Sequence, residues 1–160
     1  MSLKDQINSE FARITQLGVP AGTATQLAID SDTGRLECEL TELDKIGCSF
    51  AGFVFRSERF ASKSVDELKR LSESLAAKLS YLLEPIRPVE VDRGECVVQM
   101  RSNPPQKDDD GTSYYELLAK SGQLSLCRFN KPRGDARRVI PAQVTREVFH
   151  RLAHDFASVG

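Results

Sequence analysis

Residues 64–83 read SVDELKRLSESLAAKLSYLL, and this stretch has the clearest helical periodicity of the chain. Leucines recur along it every three or four positions, at Leu68, Leu71, Leu75, Leu79 and Leu82. That spacing places them on one face of an α-helix. Ser64 and Glu67 form a capping box at the start, and Pro85 ends the helix because the residue before a proline avoids the α region. The pattern predicts a long amphipathic helix over 64–83.

This helix needs a broad apolar surface to lie on. Burying five leucine side chains contributes on the order of 10 kcal/mol before conformational entropy is subtracted. Val65, Ala76 and Leu83 widen the apolar stripe. We therefore expect the helix to pack across a sheet as the central element of the core.

Strands are predicted on both sides of this helix. Upstream they lie at 25–30, 35–43 and 48–56, joined by connections too short for crossovers, which predicts an antiparallel meander. Gly34 is expected to supply a positive φ in the first turn. Downstream, strands are predicted at 88–92, 95–102, 113–119 and 123–130.

Helices are also predicted at the two ends of the chain, over 3–17 and from Thr145 to about 157. A small-residue linker over 19–23 follows the first helix. The order is therefore α-βββ-α-βββ(β)-α, an α+β fold with antiparallel sheet, and we expect a single domain over residues 1–160.

Composition narrows the class of protein. The chain has 160 residues, 40% of them hydrophobic and 28% charged, with a net charge of -1. These values exclude a wholly disordered chain, a disulfide-rich scaffold and a strongly basic DNA-coating protein. No apolar run reaches the ~18 residues of a membrane span, and Lys4 and Asp5 interrupt the start of any secretory signal. We expect a cytoplasmic protein without membrane association.

The cysteines and histidines indicate no metal site. No two of the four cysteines have C-x-x-C spacing, so we expect small buried hydrophobes at Cys38, Cys48, Cys96 and Cys127. His150 and His154 have the i, i+4 spacing with which two imidazoles can share a metal. They point away from the apolar face of the last helix, so we expect them in solvent and name no metal ligand.

The sequence contains none of the common catalytic or phosphate-binding motifs. The segment QKDDDG at 106–111 fails the EF-hand test because the first and twelfth positions are Gln106 and Leu117, and we predict a solvated hairpin tip. There is no Gly-rich phosphate loop, no HExxH and no GxSxG. We therefore predict no cofactor, name no catalytic residue and favour a protein that is not an enzyme.

Charge is divided between two regions. Residues 30–46 carry six acids against two bases, and residues 120–140 carry six bases against Asp135. Opposite regions of this kind steer a charged partner, or match each other across a symmetric dimer. The candidates for binding an anionic partner are Arg128, Lys131, Arg133, Arg137 and Arg138. Few aromatics accompany them, so a protein partner is favoured over nucleic acid.

Two further groups of residues are candidate contact surfaces. On the polar side of the long helix, Ser74, Ala77 and Tyr81 form a flat face suited to a dimer or partner contact. Tyr114, Tyr115 and Glu116, with Arg101 and Arg128, line a sheet surface. Because adjacent strand residues face opposite sides, we expect one of the two tyrosines in the core and one exposed.

The order of elements resembles that of type III secretion chaperones and their relatives. Those are small α+β proteins, usually homodimers, that bind a partner polypeptide without catalysis. The resemblance covers most of the chain, rests on element order and gives no residue a role. The loop at 103–112 and the basic final third depart from it. It implies a non-enzymatic protein-binding module and a homodimer. The alternatives are a small-ligand-binding protein or enzyme with a pocket at the sheet, and nucleic-acid binding through 128–138.

Overall fold

Three helices form where side chains cap the free N–H groups of a first turn. Ser2, Ser64 and Thr145 each accept a hydrogen bond from a backbone N–H three residues further on. The computed structural model describes residues 1–18 and 23–160, so of the predicted linker only Thr23 lies within the described residues. The helices are α1 (Leu3–Leu17), α2 (Val65–Lys78) and α3 (Arg146–Ser158).

The strands form one antiparallel sheet. Its main order is β1-β2-β3-β8-β7-β5-β4, with β6 paired to β7, β9 to β8 and β10 to β3. This arrangement confirms the predicted α+β class and the meander of the first three strands. The strands are β1 (Thr25–Ser31), β2 (Gly34–Leu43), β3 (Gly47–Arg56), β4 (Ile86–Asp92), β5 (Val97–Ser102), β6 (Gln106–Asp108), β7 (Gly111–Lys120), β8 (Gln123–Lys131), β9 (Arg138–Ile140) and β10 (Ala142–Thr145).

All three helices lie on the same side of this sheet. As predicted, α2 packs on the sheet, where it covers β4, β5 and β7, while α3 covers β2, β3 and β10, and α1 packs against β1 and α3. Their buried side chains join those of the strands in one hydrophobic cluster. At its centre lie the phenylalanine rings of Phe11, Phe50, Phe53, Phe149 and Phe156. The opposite side of the sheet carries no helix within the described residues.

The long helix ends earlier than predicted. The α-helix stops at Lys78 and continues as a 3-10 turn over Leu79–Leu82. Leu83 then takes a left-handed φ of 65° and its side chain is 88% exposed, although the pattern placed it in the apolar stripe. The 3-10 turn has three residues per turn instead of 3.6, which rotates the following side chain away from the core.

Three short strands were not predicted. β3 and β8 pair only over Phe53–Arg56 and Gln123–Leu126, and beyond that point β9 pairs with β8 and β10 with β3. β6 occupies part of the predicted 103–112 loop and forms the hairpin tip that the three aspartates suggested. Runs of three or four residues are too short for alternation to indicate a strand.

Gly34 is required for a reason other than the expected one. Its φ is not positive, so the prediction of a left-handed glycine at this turn was wrong. A Cβ at this position would lie 2.2 Å from the backbone oxygen of Arg56, on the neighbouring strand. Close approach of two backbones, rather than turn geometry, therefore requires the glycine.

None of the helices among the described residues combines the length and the apolar character needed to cross a membrane.

Candidate functional site

The helix-free face of the sheet is the candidate interaction surface. The strand register places one row of outward side chains across it, in the order Ala28, Glu37, Val54, Ser125, Leu118, Gln99 and Glu90. The middle of the row, on β3, β8 and β7, is made of short uncharged side chains and is half-buried. Gly52 lies beside it on β3. We call these central residues, Gly52, Val54, Ser125 and Leu118, the flat strip.

An acidic group flanks the flat strip on β1 and β2. Arg35 donates to Asp30 at 2.8 Å, and Arg56 on β3 donates to Glu37 at 3.1 Å. Glu39 is exposed and makes no ion pair within the described residues. Outward carboxylates on these two strands therefore outnumber cations, as the acidic region at 30–46 indicated.

A buried carboxylate lies on the other flank. Glu116 on β7 has a side chain only 5% exposed, and Arg137 donates to its Oε2 at 2.6 Å. Gln99 donates to the same oxygen at 2.9 Å, and Arg101 lies 3.7 Å from it. The hydrogen bond to Glu116 raises the pKa of Arg137 further above its already high ordinary value. The loop after β8 is thus held against the sheet by a charge-assisted hydrogen bond.

Two aromatic rings complete this flank. The guanidinium of Arg137 lies 3.9 Å from the ring centroid of Phe129, and that of Arg101 lies 4.5 Å from the centroid of Tyr114. Both tyrosines are buried, so the prediction that one is exposed was wrong. Tyr115 lies in the hydrophobic core on the helix side, and Tyr114 is covered on the other side by the two arginines.

The five basic candidates do not form one patch. Arg128 lies on the helix side of β8, 2.9 Å from a carboxylate oxygen of Glu84 and 4.6 Å from the ring centroid of Tyr115. Arg137 lies on the helix-free face, paired with Glu116. The remaining three candidates are exposed to solvent, namely Lys131, Arg133 and Arg138. The residues of one strand alternate between its two faces, so basic residues that are close in sequence separate in space. An arginine that is paired with a buried carboxylate is also not free to bind phosphate.

The structure also divides the small-residue face of α2. Ser74 and Ala77 are exposed on the helix, as expected. Tyr81 lies in the 3-10 turn, and its hydroxyl donates to Asp155 of α3 at 2.8 Å. Burial, together with this hydrogen bond, raises the pKa of Tyr81 well above its ordinary value. Tyr81 therefore joins two elements of the same chain.

The cysteines carry no sign of an activated thiol. All four are free; Cys38 and Cys48 are buried, whereas Cys96 and Cys127 are half-buried. Burial raises the pKa of Cys38, and raises that of Cys48 to about 12. Cys127 points to the helix-free face, where its thiol donates to the carbonyl of Ala51 at 3.4 Å. A thiol with a raised pKa is a poor nucleophile at neutral pH.

The histidine pair lies partly out of solvent. His154 is exposed, whereas His150 is half-buried, with its ring centroid 6.3 Å from that of Phe11 on α1. The expectation that both lie in solvent was thus wrong for His150, because α1 packs against that side of α3. Among the described residues, no group of three histidine, cysteine or carboxylate side chains is placed to hold a metal ion.

Sequence reasoning grouped some of these residues correctly. Tyr114, Glu116 and Arg101 do share a face, whereas Tyr115 and Arg128 lie on the other side. The pairing of Arg137 with Glu116 joins residues 21 positions apart, and no local pattern signals it. No family model, no curated protein and no solved structure matches this chain.

Proposed function

We propose that this chain is a non-enzymatic protein-binding module that uses the helix-free face of its sheet, with a second copy of the chain as its partner. The observation that carries the proposal is the arrangement of that face. Uncharged, short side chains form the flat strip at the centre, and charged networks lie on both flanks. Protein interfaces have this anatomy, with few charges at the core and a polar rim.

Charge supports a second copy as the occupant. Outward side chains on β1 and β2 comprise three carboxylates, those of Asp30, Glu37 and Glu39, against Arg35. On β7, on β5 and in the loop after β8, three cations lie against Glu116, namely Lys120, Arg101 and Arg137. Over the strands that would face each other, β1 and β2 against β7 and β5 with Arg137, the two flanks therefore carry opposite surpluses of charge.

A twofold axis brings these flanks together. If the axis runs parallel to the central strands between β3 and β8, it sets β2 of one copy opposite β7 of the other, and β1 opposite β5. Two sheets packed face to face stand about 10 Å apart, so the long charged side chains meet at the rim while the flat strip fills the centre. Complementary charge of this kind chiefly sets specificity and association rate.

The proposal predicts a dimer in sedimentation equilibrium, with twice the 17.8 kDa mass of the chain. Ser125→Arg places a long cation in the flat strip and should return the protein to the monomer. Ala77→Arg makes a comparable change on the exposed face of α2 and should leave the dimer intact. Dissociation should also become easier as salt is added, because the rim pairs are screened.

Two results would contradict the proposal. The first is a monomer up to about 1 mM, where the free energy of association would be weaker than about 4 kcal/mol. The second is a dimer that Ala77→Arg breaks and Ser125→Arg preserves, which would assign the contact to α2. Circular dichroism of both variants must match the wild type for either result to be used.

The four free cysteines suit a reducing compartment, and we infer that the chain works in the cytoplasm.

A further inference from the structure

A groove of about 1000 Å³ lies among the helices, on the side of the molecule away from the flat strip. Its walls come from the first turn of α1, from Lys78 at the end of α2, from Tyr81 in the 3-10 turn, and from α3. Clefts of this size hold small molecules in many proteins. The groove is therefore independent of the proposed dimer contact.

Cations from three different elements meet in this groove without partners. Lys4, Lys78 and Arg151 line it, and none of them forms an ion pair within the described residues. The guanidinium of Arg151 lies 5.1 Å from the ring centroid of Tyr81. Asp155, one of two carboxylates in the groove, accepts the hydrogen bond from the Tyr81 hydroxyl. Glu147 is the other carboxylate, so the three cations outnumber the two acids of the lining.

His150 adds an unsatisfied polar atom. Its Nδ1 is shielded from solvent and has no hydrogen-bond partner among the described residues. Burial, together with the nearby positive charges of Lys4 and Arg146, lowers the pKa of His150. Buried polar atoms are nearly always paired, so an unpaired one is an unusual feature of a side chain that lines the groove. An anion in the groove would relieve the repulsion between the cations.

We propose that this groove binds a small molecule that carries a phosphate group. Lysine and arginine side chains are the usual protein partners of phosphate oxygens. The lining also includes Leu3 and the ring of Tyr81, against which the rest of such a molecule would pack. A metal ion is not the expected occupant, because no set of three metal-ligating side chains occurs among the described residues.

The test uses inorganic pyrophosphate as the probe and the full chain at low ionic strength. Titration followed by 1H-15N NMR should saturate at one site, with the largest shifts at His150, His154 and Arg151. Binding should raise the pKa of His150. The double variant Lys4→Gln with Lys78→Gln should weaken binding at least tenfold, since each lysine contributes a charge-assisted contact. Both lysines are exposed, so the fold is expected to survive.

The matched control is Lys131→Gln with Arg133→Gln, which removes two exposed positive charges from a different surface. It should leave the dissociation constant within about twofold, because distant exposed charges are screened. Three results would overturn the proposal. They are no saturation up to about 10 mM pyrophosphate, equal weakening by both double variants, and malonate binding as tightly as pyrophosphate.

Discussion

Replacing Glu116 by glutamine tests the network that shapes one flank of the interaction surface. The variant keeps the side-chain shape but removes the charge to which Arg137 donates at 2.6 Å and near which Arg101 lies at 3.7 Å. Removing one member of a buried ion pair costs about 3–5 kcal/mol. Here the two arginines are 40% and 35% exposed, so solvent compensates them in part. We therefore expect a loss of about 1–2 kcal/mol in the free energy of unfolding.

That loss is measurable by urea denaturation followed by circular dichroism. For a chain of this length it corresponds to a melting temperature lower by roughly 2–8 °C. Glu39→Gln is the control, because this exposed carboxylate lies on the same face without an ion pair in the described residues, and its effect should stay within about 0.5 kcal/mol. A double-mutant cycle with Arg137→Gln should return a coupling of about 1 kcal/mol. Equal urea midpoints for Glu116→Gln and Glu39→Gln would show that the Glu116 charge does not stabilise the fold.

Three other predictions concern packing, reactivity and pH. Gly34→Ala should lower the free energy of unfolding by about 1–3 kcal/mol, because the added Cβ would overlap the backbone oxygen of Arg56. Gly52→Ala should be tolerated, because its Cβ would meet nothing within 4 Å. Equal urea midpoints for the two variants would contradict this prediction. Ellman's reagent should leave Cys38 and Cys48 unmodified in the folded protein at pH 8 and label them after unfolding, since burial raises the pKa of both thiols. Rapid labelling of all four thiols in the folded protein would contradict this prediction. Because folding lowers the pKa of His150, the unfolded chain takes up the proton first, and stability should fall as the pH drops below the ordinary value of 6.5. His150→Gln should lose less stability than the wild type between about pH 7.5 and 5.5, and parallel pH profiles would count against the shift.

The elements with strong periodicity were predictable from the sequence alone. The leucine spacing of α2, the alternation in β2 and the caps Ser64 and Thr145 each use local physics, and the structure confirms them. Leu83 departs from the pattern because the α-helix becomes a 3-10 turn before it. A constant period of 3.6 residues does not reveal that change. Strands β9 and β10 were missed because they form only where β3 and β8 diverge, a property of the assembled sheet.

The candidate surface was predictable only in part. Alternation along β7 sets Tyr114 and Glu116 on one face, and the sequence suffices for that. Which face the helices cover depends on the pairing of distant strands, so the sequence did not indicate that Arg128 and Arg137 lie on opposite sides. Their partners, Glu84 and Glu116, come from elsewhere in the chain. Clustering of basic residues in sequence is therefore a poor guide to a basic surface in this fold.

Hydroxyl-radical footprinting of the protein at low and high concentration would locate the interface. We expect Leu118 and Phe129, half-buried on the helix-free face, to become protected as the dimer forms. Leu17 and Leu83, exposed at the ends of α1 and of the 3-10 turn, should be modified equally at both concentrations. Protection of these two leucines, with Leu118 and Phe129 unchanged, would contradict the claim that the helix-free face of the sheet binds protein.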